Sequence, residues 1–142
     1  MLLQKRSMEK ESFPGLYDTS SAGHIPAGSG PLPSALRELE EELGICAAPG
    51  QLAFAGNFRI RYEKVFHGKL FRDNEVCFVY VYREPVNSAC LTLQQSEVDE
   101  VRWFDLDEVM TEIQTSRLRF CAPAEGLNTL KRFLDAEHGK QL

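Results

Sequence analysis

"SSAGHIPAGSGPLPSALRELEEELGI", Ser20 to Ile45, sets a Gly- and Pro-rich loop directly before a run of charge. Five of the six residues from Arg37 to Glu42 are charged, and four of those are glutamates. On a helical wheel of about 100° per residue with Glu38 at zero, Glu41 falls near −60° and Glu42 near +40°. Leu32, Ala35, Leu36, Leu39 and Leu43 take roughly +60° to +160°. One stripe therefore packs inward, and its neighbour holds three carboxylates within a single turn, while Glu40 points elsewhere. Like charges at this spacing cost about 0.2–0.5 kcal/mol per pair on an exposed helix, so an acidic face alone is ordinarily just solvated. The preceding loop changes that weighing. Gly23, Gly28 and Gly30 let backbone approach a ligand closely. Pro31 and Pro33 fix the first helical turn, where a missing N–H does no harm. A preorganised loop leading into hard oxygen donors suits Mg²⁺ or Mn²⁺, with a phosphate bridging the metal.

The rest of the chain fits one domain over residues 1–142. It is 43% hydrophobic and 26% charged, with a net charge of −5, values ordinary for a chain able to build one core. Its sixteen Lys and Arg form no basic block, so no nucleic-acid polymer is expected as a partner. Cys46, Cys77, Cys90 and Cys121 lie far apart without a C-x-x-C pair, which argues against a zinc site or a disulfide framework. No signal peptide and no membrane-length apolar run is present. A reduced, cytoplasmic setting is the default.

Leu2–Ser7 reads as a short strand, and "LYDTSSA" as a second extended segment. A helix runs to about Leu43, with Gly44 where a C-terminal cap belongs. "QLAFAGNFRIRYEKVF" reads as strand, "HGKLFRDN" as a hairpin connection, and "EVCFVYVYRE" as the clearest strand. "EVRWF" is a further short strand. Asp105 is placed as N-cap of the next helix with Glu108 three residues on, and a last helix runs from about Pro123 to Glu137. Strands and helices mix without a regular βαβ repeat, so the fold class is α/β (α+β).

Gly23, thirteen residues, then "RELEEELGI" resembles the Nudix box, G-x5-E-x7-R-E-U-x-E-E-x-G-U with U aliphatic. Arg37, Glu38, Leu39, Glu41, Glu42, Gly44 and Ile45 match in register with Gly23. The resemblance implies a mixed sheet sandwiched between helices. It implies a hydrolase in which divalent metal neutralises the crowded carboxylates and holds a small-molecule diphosphate for attack by water. Glu41 and Glu42 would be the main metal ligands. Glu38 would be a further ligand or position the water, Arg37 would orient the carboxylates beside Glu41, and the Ala22 carbonyl would be a backbone ligand. One departure stands out: the first Glu of the pattern maps to Ser29, and no acid lies between Gly23 and Arg37. Retained metal binding with reduced activity is expected.

"FPGLYDTSSAGHIPAG" and "RDNEV" look like the branch containing isopentenyl-diphosphate isomerase and its hydrolase relatives. The catalytic Cys of the isomerase maps to Ala22, ahead of the Gly23–His24 pair, and Ala cannot carry a proton. Hydrolase is therefore favoured over isomerase, with a non-catalytic or weakly active binding module as the other alternative. His24 reads equally as a surface residue or as a ligand or phosphate contact. Asp73 fits turn chemistry; Glu75, opening an apolar strand, is the better functional candidate. Glu97, in a loop, is ranked first as a base for hydrolysis. Lys5 and Arg6 are placed at phosphate, with an exposed strand end as the plain account. Trp103 and Phe104 read as core first and substrate-stacking second. The resemblance also implies a strand ahead of Leu2, whose lack leaves a sheet edge open for a homodimer.

Overall fold

The computed structural model describes residues 1–115 and 118–140. Three helices surround two antiparallel sheets. The elements run β1 (Leu2–Arg6), β2 (Tyr17–Asp18), α1 (Pro31–Leu43), β3 (Leu52–Phe66), β4 (Lys69–Tyr82), β5 (Val98–Trp103), α2 (Leu106–Thr115) and α3 (Ala124–Lys140). The architecture is α+β, as expected from the mixed order of elements.

In the first sheet β1 lies between β2 and β5. Gln4 pairs with Asp18 on one side and Val101 on the other. β1 is therefore the central strand, with ladder bonds on both flanks, and the edges of this sheet are β2 and β5. Alternation along β1 sends its side chains to two cores. Leu3 packs with Tyr17, Val109, Ile113, Phe120 and Leu127, on the side of α2 and α3. Leu2 packs with Leu39 and Leu43 of α1. The sheet is thus held between helices, and Gln4, two residues from Leu2, shares the α1 side.

The second sheet is the β3–β4 hairpin. Its connection is not the eight-residue segment read from the sequence but the pair His67 (φ 50°) and Gly68 (φ 76°). Positive φ at both positions matches a type I′ turn, whose twist suits a hairpin. Residues from Lys69 onward are already strand, with Asp73 opposite Tyr62 and Glu75 opposite Ile60. The turn preference of Asp73 and Asn74 gives way to this ladder. An irregularity between Phe54 and Gly56 bends β3. There α3 comes so close that a Cβ on Gly56 would lie 2.9 Å from Thr129 Cγ2.

Helix α1 obeys the local signals. Gly30 precedes it in extended conformation, and Pro31 sits in its first turn. Gly44 adopts φ 71° and donates its N–H to Glu40 O at 2.8 Å, while Ile45 donates to Leu39 O at 3.3 Å. These bonds satisfy carbonyls that the helix end would leave bare. Asp105 caps α2 by accepting from the Glu108 N–H at 3.0 Å. Trp103 is not core: it is 54% exposed at the end of β5. Phe104 is the one that packs, edge-on against Tyr17 and Phe120. None of the described helices is long and apolar enough to cross a membrane.

Candidate active site

The loop from Ser20 to His24 folds back onto the acidic face of α1. Three contacts fix it there. A Cβ on Gly23 would collide with the Glu38 carboxyl group, so a larger residue here would force that side chain to shift. The Ala22 N–H donates to Glu42 Oε2 at 3.3 Å. Arg37 Nη2 donates to the His24 carbonyl at 3.3 Å. Ahead of the helix, the Ser29 N–H donates to Pro26 O at 3.0 Å around Gly28 at φ 84°. This turn leaves the Ser29 side chain exposed.

The glutamates occupy three environments. Glu42 is 5% exposed, because its place on the wheel adjoins the Leu39–Leu43 stripe. Burial pushes its carboxyl up to about 7, against the opposing effect of hydrogen bonds from Gln4 and Ala22. Glu38 is mostly buried and pairs with the Arg37 guanidinium. Glu41 is half exposed, with its Oε1 3.8 Å from Arg37 Nε. Arg37 therefore bridges Glu38 and Glu41 rather than serving Glu41 alone. Glu40 faces away and accepts from Cys46 Sγ at 3.0 Å.

The hairpin meets this loop at His24. Glu75 Oε1 lies 2.9 Å from His24 Nε2, so the structure joins these two candidates. Burial and the neighbouring Glu75 hold Asp73 above the usual carboxylate range, and the same acids together with burial raise Tyr62. Cys77, two residues past Glu75, is raised chiefly by burial and stays a thiol.

Other candidates lie apart. Glu97 is taken up by Lys10, and its backbone is held by bonds to Ser7 and Gln94, so it is not a loose acid waiting to close. Arg6 shares the Gln4 side of β1 but is held by Asp18, the Ser12 carbonyl and Ser12 Oγ at 3.0–3.2 Å. Lys5 alternates to the opposite side, opposite Tyr17 and Glu100. Gln4 is a site residue that sequence reasoning missed. A lone glutamine in a strand carries no periodic signal, yet its Nε2 reaches Glu42 Oε2 at 2.6 Å.

The donor set consists of carboxylates and backbone, with neither sulfur nor imidazole among the helix residues, and it suits a hard divalent cation. Among the described residues, no three His, Cys, Asp or Glu side chains stand grouped as a ready-made cation site. The Arg37 guanidinium supplies the positive charge between Glu38 and Glu41, and the half-exposed Glu41 has room to swing.

Comparison with known proteins fits this arrangement. The NUDIX domain family matches residues 1–122. Nudix hydrolase 3 of Arabidopsis thaliana is 43% identical over 110 residues, covering 76% of this chain and 14% of that protein. An uncharacterized Nudix hydrolase of Clostridium acetobutylicum is 38% identical over 109 residues, covering 77% of this chain and 50% of its own length. The chain thus spans half or less of these relatives. A Caenorhabditis elegans Ap4A hydrolase shares the fold with a TM-score of 0.61 at 20% identity, over 95% of this chain and 85% of that one. A Deinococcus radiodurans protein does so with a TM-score of 0.62 at 16% identity, over 92% and 72%. Nothing in these matches singles out the isomerase-like branch. With the family matched across most of its length, and Gly23 seated on the acidic helix as the motif requires, this chain belongs to the Nudix family.

Proposed function

We propose that this chain hydrolyses a small-molecule diphosphate linked to another moiety, with water attacking phosphorus. The observation that carries the reading is the contact of Gly23 with Glu38, which seats the loop backbone on the acidic face of α1. Glu38, Glu41 and Glu42, with the Ala22 carbonyl, would hold Mg²⁺ or Mn²⁺. When bound, the cation would neutralise charge on the diphosphate and ease attack by water. Arg37 holds Glu38 and ties the helix to the loop through the His24 carbonyl. Gly23 and His24 would contact the substrate. Glu75 is the distal acid that meets this loop at His24 and is proposed to take the proton from water, in place of Glu97, whose carboxylate is engaged by Lys10. The chain is read as one domain acting in the cytoplasm.

Ser29 favours a second reading, a weakly active or non-catalytic binding module, since a hydroxyl replaces a carboxylate of the pattern. Ala22 disfavours an isomerase. Mass spectrometry of products from a diphosphate panel with Mg²⁺ or Mn²⁺ separates the three. The panel includes dinucleoside polyphosphates and prenyl diphosphates. Release of orthophosphate or a monophosphate supports the hydrolase. Unchanged ligand throughout supports the binding module, and a double-bond isomer overturns both.

A further inference from the structure

We infer that Gln4 is a positioning residue for the cation site, fixing the Glu42 carboxylate and the Ser20–Ala22 loop with one side-chain amide. The inference rests on the reading of Glu42 as a metal ligand. Gln4 lies at the centre of β1, 5% exposed. A buried primary amide in a strand is costly unless its donors are used. Both are used here. Nε2 donates to Glu42 Oε2 at 2.6 Å and to the Ser20 carbonyl at 3.2 Å. The same Oε2 accepts from the Ala22 N–H. Three segments distant in sequence therefore meet at one carboxylate oxygen: the middle of the sheet, the glycine loop and the last turn of α1.

The consequence is geometric. With both donors on Oε2, the orientation of the carboxylate is held, and neither Gln4 nor Ala22 claims Oε1. A Glu42 without Gln4 would lose its orientation. The Ser20 carbonyl would also lose its donor, leaving the Ser20 hydroxyl on the Leu2 carbonyl as that residue's tie to β1. Groups that orient ligands from behind typically contribute 10–100-fold to metal affinity. The neighbouring packing does not depend on the amide, because Leu2 and Leu3, not Gln4, fill the two cores.

The test uses the full chain and Mn²⁺ as the probe, read by electron paramagnetic resonance titration alongside the Tm of the metal-free protein. Gln4→Met keeps length and volume while removing both donors; Gln4→Asn, one methylene short, serves if the first variant fails to fold. Loss of Mn²⁺ affinity by about 10–100-fold, at a Tm near that of the wild type, is the expected result. In a Glu42→Gln background the Gln4 substitution should add nothing further, since its effect runs through that carboxylate. Wild-type affinity in a folded Gln4 variant overturns the inference, and so does an additive loss in the double variant. Unaltered Mn²⁺ binding by Glu42→Gln alone would instead overturn the reading of Glu42 as a ligand.

Discussion

The Glu38 carboxyl group occupies the space that a Cβ on Gly23 would need. The family pattern asks for a glycine separated by thirteen residues from the Arg-Glu pair, and this contact supplies a physical reason. Gly23→Ala should push Glu38 off its seat and separate the loop from α1. Overpacking of this kind costs about 1–3 kcal/mol. Gly50→Ala, at a site with no atom within 4 Å, is the matched control. Thermal unfolding and Mn²⁺ titration should show both quantities falling in the first variant and neither in the second. Equal Mn²⁺ affinities would mean that the contact shapes the loop without serving the site.

Glu41→Gln and Glu42→Gln are nearly isosteric and should leave the fold in place. Hydrolysis should fall by about 10²-fold or more, the scale of the several kcal/mol that a bound cation supplies. Full metal-dependent turnover in both variants would remove these residues from the site.

Ser29 is exposed beside the Pro26–Ser29 turn, so a longer side chain meets no obstruction. Ser29→Glu should raise Mn²⁺ affinity or turnover, because it restores the carboxylate that the pattern calls for. A decrease in both would show that the position serves the turn and not the cation.

The Glu42 carboxyl has a pKa of about 7 in the folded chain, above the ordinary 4.5. The folded chain therefore holds this proton more tightly than the unfolded chain. Its stabilising effect, at most about 3 kcal/mol, is full below pH 4.5 and is lost as pH rises through 7. Denaturant unfolding of the metal-free protein should show stability declining over that window in the wild type but not in Glu42→Gln. Cation binding needs the ionised form and expels the proton. Mn²⁺ affinity should therefore rise with pH up to about 7 and level off above it. A flat affinity between pH 5 and 8 would contradict the assignment.

The acidic helix and its loop were legible because their signals are local. The Gly44 cap, the two prolines and the three-carboxylate turn all act within a few residues. The hairpin turn was misplaced because Asp73 and Asn74 favour turns, while the deciding feature was the positive φ of His67 and Gly68. Trp103 was misjudged because an aromatic residue in a strand says nothing about which side is covered. Gln4 was invisible for a different reason. Its partner Glu42 is 38 positions away, and only the packing of β1 under α1 brings them together. Glu97 showed the converse: its loop position suggested freedom, and in the fold it pairs with Lys10.

The identity of the proton acceptor tests that last point. A carboxylate with both oxygens committed to a cation is a weak base, so a separate acid would serve better. Glu75 sits in the middle of β4, held by ladder pairing to Ile60, with its Oε1 2.9 Å from the His24 ring on the site loop. Glu97 is neutralised by Lys10, and that pair is partly exposed, a setting in which ion pairs contribute about 0–1 kcal/mol. Single-turnover rates at saturating Mg²⁺ should therefore fall in Glu75→Gln by about 10²–10⁴-fold, the usual range for general-base catalysis, without loss of metal affinity. Glu97→Gln should turn over near the wild-type rate. The reverse pattern would place the base at Glu97 and require the Lys10 pair to open on substrate binding. Near-wild-type rates in both would return the role to Glu38, the carboxylate packed against Gly23.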